Sequence, residues 1–70
     1  MPKLNRIKAV LAEKDRTSKW LAEQVGRDPS TVSRWCTNDI QPPLEVLYQI
    51  AEILEVEVWE LLAAKPKGKG

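Results

Sequence analysis

The fold is decided by residues 17–37, which read TSKWLAEQVGRDPSTVSRWCT. Thr17 or Ser18 can cap a helix that Gly26 ends, because glycine readily adopts the left-handed conformation found after a helix. Asp28 is a second helix cap, and the proline that follows it loses no hydrogen bond at the first helical position. The stretch therefore predicts two short helices joined by a tight turn, which is the helix-turn-helix arrangement.

The second helix of this pair, at about residues 28–37, has two chemically different faces. Helical spacing places its apolar residues on one inward face, namely Val32, Trp35 and Cys36. The opposite face has no carboxylate and no large apolar side chain; it carries Ser30, Ser33, Arg34 and Thr37. Small hydroxyl side chains let a helix approach duplex DNA closely, and Arg34 can offer two donors to O6 and N7 of guanine. A merely solvated face would instead favour lysine and glutamate.

The rest of the chain also has helical spacing, which predicts further helices at about residues 4–14, 44–55 and 58–64. The expected fold is an all-α bundle of five helices. Its predicted core comprises Leu4, Ile7, Val10, Leu11, Leu21, Ala22, Val25, Leu44, Leu47, Ile50, Ala51 and Leu54. Residues 1–64 are predicted to form one domain, and residues 65–70, KPKGKG, a disordered basic tail.

Residue counts exclude several classes of chemistry. The 70 residues include no histidine and one cysteine, Cys36, so an internal disulfide, a structural zinc site and histidine-dependent catalysis are all excluded. We expect Cys36 to lie in the core rather than to act as a redox sensor. The expected protein is not an enzyme and has no cofactor, metal or small-molecule ligand.

Charge is distributed unevenly along the chain. Residues 1–36 carry eight cations and four anions, whereas residues 37–64 carry six anions and no cation. A basic half beside an acidic half suggests a polyanionic partner that approaches from one side, although alone this signal is weak. No apolar stretch is long enough to span a bilayer and residues 1–5 do not resemble a signal peptide, so we expect a cytoplasmic protein without a membrane partner.

Taken together, these features resemble the Cro/repressor-like, or XRE-type, helix-turn-helix domains of phage repressors and bacterial regulators. The resemblance covers about residues 4–62 and is carried by Leu21-Ala22, Gly26, the run from Asp28 to Trp35, Pro42, Leu44, Leu47, Ile50-Ala51, Leu54 and Leu61-Leu62. It implies a five-helix domain of the lambda-repressor-like type that binds operator DNA, often as a homodimer. Many members have a buried Arg–Glu pair where this chain has Leu11 and Cys36, which form a stable apolar substitute.

The resemblance also implies roles for individual residues. The base-reading positions of the family correspond to Pro29, Ser30, Thr31 and Arg34. Expected contacts with the DNA backbone are Ser18, Lys19, Arg27, Ser33, Thr37 and Asn38, of which Arg27 is equally well explained as a solvated side chain.

Two other surfaces carry large apolar side chains. The apolar arc of the fourth helix is wider than one packing face needs, so Val46, Ile53, Val56 and Trp59 are candidates for a dimer interface. The alternative is that the fifth helix covers them. Trp20 points away from the core stripe of its helix, which is consistent either with a binding anchor or with packing on a neighbouring helix.

The sequence therefore predicts sequence-specific binding to double-stranded DNA by a small transcriptional regulator, expected to be a repressor. Residues 28–37 would lie in the major groove, and a second copy of the chain is a candidate partner. The alternative is a protein-interaction module, adaptor or antitoxin-like, that keeps the same fold but binds protein.

Overall fold

The computed structural model describes residues 3–63. Within this range the chain forms four α-helices and one short 3-10 helix. The α-helices are α1 (Ile7–Glu13), α2 (Ser18–Val25), α3 (Pro29–Cys36) and α4 (Leu44–Leu54), and the 3-10 helix spans Val58–Leu61. The described residues contain no strand, only an isolated antiparallel bridge between Asn5 and Leu62. The all-helical prediction is confirmed, whereas the predicted fifth helix is a single 3-10 turn.

The core lies where α1, α2, α3 and α4 meet. Trp35 is its largest side chain and is 2% exposed. Ile7, Leu21, Ile50 and Leu61 surround the same interior and are completely buried. Since each comes from a different segment, burial of these side chains fixes the relative positions of all the helices.

The N-terminal segment pairs with residues 61–63 instead of extending α1. The Arg6 N–H donates to the Leu61 carbonyl at 2.8 Å, and the Ala63 N–H donates to the Leu4 carbonyl at 2.9 Å. The Asn5 Oδ1 accepts the Ile7 N–H at 3.0 Å, at the start of α1. The predicted start near residue 4 is therefore wrong, and Leu4 is 56% exposed rather than in the core.

The predicted helix at residues 58–64 ends early for the same reason. Leu62 is extended, with φ −98° and ψ 140°, because it pairs with Asn5. Leu44, another predicted core residue, begins α4 and is 69% exposed. The other predicted core residues are buried.

The predicted basic tail at residues 65–70 lies outside the described residues. Between residues 3 and 63, the longest helix is the 11-residue α4, and none has the length and apolar character needed to cross a membrane. The same residues contain no cluster of three or more side chains suited to holding a metal ion.

Candidate nucleic-acid interface

The turn between α2 and α3 is built by local capping. The Thr17 hydroxyl accepts the Trp20 N–H at 3.0 Å at the start of α2, and Gly26 ends α2 in the left-handed region with φ 69°. The Asp28 carboxylate accepts the Ser30 N–H at 3.0 Å, and Pro29 occupies the first position of α3. Three residues thus separate two helices that pack against each other, and the predicted helix-turn-helix is present.

The two faces of α3 are as the helical spacing predicts. Val32, Trp35 and Cys36 are buried. On the other side the exposed residues are Pro29, Ser30, Ser33, Arg34 and Thr37, while Thr31 is half-buried at the edge of this face. We call these six residues the outer face of α3. It presents short polar side chains and one arginine to solvent.

Arg34 is the only cation on α3 and is held in place by an acidic neighbour. Its Nε donates to the Asp39 Oδ2 at 2.7 Å, and the two side chains are 58% and 56% exposed. The terminal amino groups of Arg34 donate no hydrogen bond within residues 3–63. They remain available to an external acceptor.

At the opposite end of α3, Ser30 is engaged by the cap. Its hydroxyl donates to the Asp28 carboxylate, which leaves the hydroxyl oxygen free to accept. These bonds, first from the Ser30 hydroxyl and then from its N–H, lower the pKa of Asp28 below its ordinary value. The carboxylate therefore stays charged and acts as a cap at neutral pH.

A cleft of about 400 Å³, with a mostly apolar lining, lies between α1, the start of α2 and the end of α3. Its polar lining consists of Lys8, Arg16, Ser18, Ser33 and Thr37, and its apolar floor includes Leu11 and Cys36. Three of the predicted backbone contacts therefore meet at one place, beside two cations. The Thr37 hydroxyl donates to the Arg34 carbonyl at 3.2 Å, so a phosphate group here would find hydroxyl donors in Ser18 and Ser33 and positive charge in Lys8 and Arg16.

Lys8 and Arg16 were missed in the sequence. Lys8 lies one helical turn from Leu11, and the resemblance placed Leu11 against Cys36, so this spacing was a usable signal. Arg16 gave no comparable signal, because its position depends on Trp20. Its guanidinium lies 4.5 Å from the centroid of the indole ring. Trp20 is half-buried against the core, which favours packing on a neighbouring helix over a free anchor.

A model of the Cro/C1-type helix-turn-helix DNA-binding domain matches residues 6–67. The chain belongs to this family. The chain is also similar to the solved structure of a "putative DNA-binding protein" from Bacteroides fragilis, with 55% identity and a TM-score of 0.84. This match covers 86% of the present chain and 97% of the other. A comparison with curated proteins found no match.

Membership of the Cro/C1-type family supports binding to DNA, and the family is not one of enzymes. The departures noted in the sequence are consistent with the family fold. Leu11 and Cys36 are both buried and line the same cleft. Burial raises the pKa of the Cys36 thiol, as expected for a core cysteine.

Asn38 was predicted to contact the DNA backbone, but the structure places its side chain inside the domain. Asn38 is 6% exposed, and its Oδ1 accepts the N–H groups of Leu4 and Asn5, each at 2.9 Å. Its Nδ2 donates to the Asn5 carbonyl at 3.1 Å. Since the side chain is buried and bonded through both its oxygen and its nitrogen, Asn38 has a structural role and its side chain is unavailable to DNA. The two cations that were predicted to contact the DNA backbone, Lys19 and Arg27, are exposed.

The candidate dimer residues divide into two groups. Val46 is 2% exposed and belongs to the core, so its prediction as an interface residue is wrong. Ile53 and Val56 are half-buried against the core, whereas Trp59 is 66% exposed. The arc of α4 is wide because it packs against both α2 and the 3-10 helix.

Charge separates the two sides of this Cro/C1-type domain. The described residues from Thr37 onward carry no cation, and their acidic side chains are Asp39, Glu45, Glu52, Glu55, Glu57 and Glu60. Most of these carboxylates are exposed on or after α4, whereas the cleft beside α3 is cationic. This distribution favours the approach of phosphate from the side of the helix-turn-helix.

Proposed function

We propose that this protein is a sequence-specific regulator of transcription that binds double-stranded DNA and represses by occupying promoter DNA. In this proposal α3 lies in the major groove. The observation that carries it is the outer face of α3, where an exposed arginine with free terminal amino groups lies among short hydroxyl side chains. No carboxylate interrupts that face between the helix caps.

In this proposal the outer face of α3 divides into base-reading and backbone contacts. Arg34 reads a guanine through two parallel hydrogen bonds, with Pro29, Ser30 and Thr31 against neighbouring base edges. The DNA backbone lies over the cleft between α1 and α3 and is held by hydroxyl groups and cations. These contacts comprise Lys8, Arg16, Ser18, Lys19, Arg27, Ser33 and Thr37.

Selection of bound sequences from a random duplex pool, at about physiological salt, tests this function. Specific sites should be bound about 10³-fold or more tightly than bulk DNA. Enrichment of one sequence supports the proposal. Binding that responds to salt but not to sequence contradicts it, and binding to a protein without any enriched DNA would favour the interaction-module alternative.

Variants separate reading from anchoring. Arg34→Ala should abolish preference at one base pair, a loss of about 1–3 kcal/mol of discrimination. Lys19→Ala should weaken binding to all sequences alike and reduce the slope of log affinity against log salt by about 1. Lys14→Ala is the matched control, because Lys14 lies away from α3 in a small pocket with Trp20 and the end of α4. It removes the same charge and should leave both the overall affinity and the salt slope unchanged.

We also propose that two copies of the chain pair through the surface around Trp59, with Ile53 and Val56 at its edge. The proposal is supported by the 66% exposure of the indole ring, since tryptophan is a frequent interface anchor. Two-fold pairing would place the recognition helices about 34 Å apart on an inverted repeat. Trp59→Ala should then convert a dimer to a monomer in sedimentation analysis, whereas Leu44→Ala, an equally exposed apolar change, should not. A wild-type monomer at all concentrations and on DNA contradicts the pairing.

A further inference from the structure

The ion pair between Arg34 and Asp39 adds too little to the stability of the domain to account for its presence. Both side chains are more than half exposed, and ion pairs of that kind contribute little to the stability of a protein. The pair nevertheless lies at the end of the helix that faces DNA in the proposed function. A carboxylate at that position repels phosphate, so it lowers affinity for DNA of any sequence.

The position of Asp39 is fixed by the fold rather than by the ion pair. Asp39 follows Asn38, which has a left-handed backbone with φ 63°, and the Asp39 N–H donates to the Arg34 carbonyl at 2.9 Å. Asn38 is itself held by the buried hydrogen bonds to Leu4 and Asn5. The turn after α3 is therefore held by hydrogen bonds that do not involve the Asp39 side chain, and it places the Asp39 carboxylate beside the Arg34 side chain.

We propose that Asp39 is a positioning residue that fixes the Arg34 guanidinium for reading guanine. This inference rests on the proposed function, in which Arg34 contacts a base. Because Asp39 occupies Nε, the guanidinium can present only its two terminal amino groups to DNA. That edge of the planar group can donate two parallel hydrogen bonds to O6 and N7 of guanine.

The expected benefit is one of entropy. A free arginine side chain loses rotamer freedom when a base fixes it, whereas a side chain already held by Asp39 has less freedom to lose. If Asp39 has already restricted the side chain, this rotamer entropy is not lost on binding. Affinity for the correct base is then higher by about 5- to 30-fold, which corresponds to a rotamer entropy of about 1–2 kcal/mol. The same pairing disfavours other guanidinium orientations, so discrimination should depend on Asp39 more than overall affinity does.

The test uses the best duplex selected by the wild-type protein, together with duplexes changed at single base pairs. Arg34→Ala first identifies the base pair that Arg34 reads, as the one whose preference is lost. Asp39→Asn keeps the shape but replaces the charged acceptor of the Arg34 Nε–H by a weaker neutral one, and it should reduce discrimination at that pair by up to about 5- to 30-fold. Preferences at the other pairs should be unchanged, and affinity for random DNA should be equal or higher.

Two controls exclude a structural effect. Glu45→Gln removes one negative charge from the exposed surface of α4 and should leave discrimination unchanged. In the Arg34→Ala background, Asp39→Asn should have no further effect on preference at any pair, because the residue it positions is absent. Unfolding curves check that each variant is folded under the binding conditions.

Failure of the positioning role of Asp39 can be told apart from failure of the proposed DNA-binding function. If the wild-type protein enriches no sequence, the proposed function fails and the inference fails with it. If a sequence is enriched but Asp39→Asn keeps or increases discrimination at the Arg34 pair, only the positioning role is overturned. The positioning role is also overturned if Asp39→Asn removes preference at every base pair, or if it reduces preference equally in the Arg34→Ala background. Either result would show that Asp39 acts on the fold alone.

Discussion

Replacing Asn38 by alanine should remove much of the stability of the domain. The Asn38 amide accepts the N–H groups of Leu4 and Asn5 and donates to the Asn5 carbonyl. The two Asn5 groups are buried, and a buried polar group without a partner costs about 1–3 kcal/mol. Alanine at a left-handed position costs about 1–2 kcal/mol more. With partial access of water, we expect a total loss of about 3–5 kcal/mol.

This loss is large relative to the whole. At about 0.05–0.15 kcal/mol per residue, a chain of 70 residues has a free energy of unfolding of about 3.5–10 kcal/mol. The measurement is urea unfolding followed by far-ultraviolet circular dichroism, with tryptophan fluorescence, to which buried Trp35 contributes together with Trp20 and Trp59, as a second probe. Coincident transitions from the two probes would justify a two-state treatment.

Two further variants divide the effect into its parts. Asn38→Gly removes the same hydrogen bonds without the left-handed penalty, so it should be about 1 kcal/mol more stable than Asn38→Ala. Gln41→Ala removes an exposed residue whose side chain makes partly buried hydrogen bonds to both Asn5 and Asn38, and it should cost about 1 kcal/mol. A change below about 0.5 kcal/mol for Asn38→Ala, or a glycine variant less stable than the alanine variant, would refute the reasoning.

Three other expectations can be checked with the same protein. Gly26→Ala should destabilise by about 1–2 kcal/mol, the left-handed penalty alone, because an added Cβ at Gly26 meets no atom within 4 Å; a loss above about 3 kcal/mol in urea would indicate a clash instead. Cys36 should react with a thiol reagent far more slowly in native buffer than in urea, because burial raises the pKa of its thiol; rapid native labelling would contradict its place in the core. The lowered pKa of Asp28 means that its charged form stabilises the folded state above the unfolded pKa of about 4. That stabilisation is lost as pH falls through the lower folded value, so the stability advantage over Asp28→Asn should shrink below about pH 4 and not above it.

The helix-turn-helix could be predicted closely because its signals are local. Thr17, Gly26 and Asp28 act on atoms within four or five residues of themselves, and helical spacing alone sorts buried from exposed positions on α3. The same reasoning predicted the exposed Arg34, but not its partner. Asp39 was assigned to the acidic half of the chain, because nothing in the spacing indicates that a turn brings it back to α3.

Three of the errors in the prediction concern contacts between distant segments. Leu4 has the spacing of a helix residue, yet its carbonyl pairs with Ala63 and it lies outside α1. Val46 looked like surplus apolar surface because the number of partners of α4 is not visible in its spacing. Asn38 is a polar residue at the end of α3, as expected for a contact with DNA. Only its hydrogen bonds to Leu4 and Asn5 make it part of the interior.

By itself, the sequence determined the helical fold class, the caps of the helix-turn-helix and the polar outer face of α3. Those properties depend on interactions within one or two helical turns, which the order of residues specifies directly. Only the tertiary structure decided which residues pair the two ends of the described domain and which cations lie beside α3. Pairing of residues 4–6 with residues 61–63 shortens the first helix and the last, and packing of α1 beside α3 brings Lys8 to the cleft. These contacts form because distant segments bury apolar surface against one another, and which segments do so depends on the whole chain.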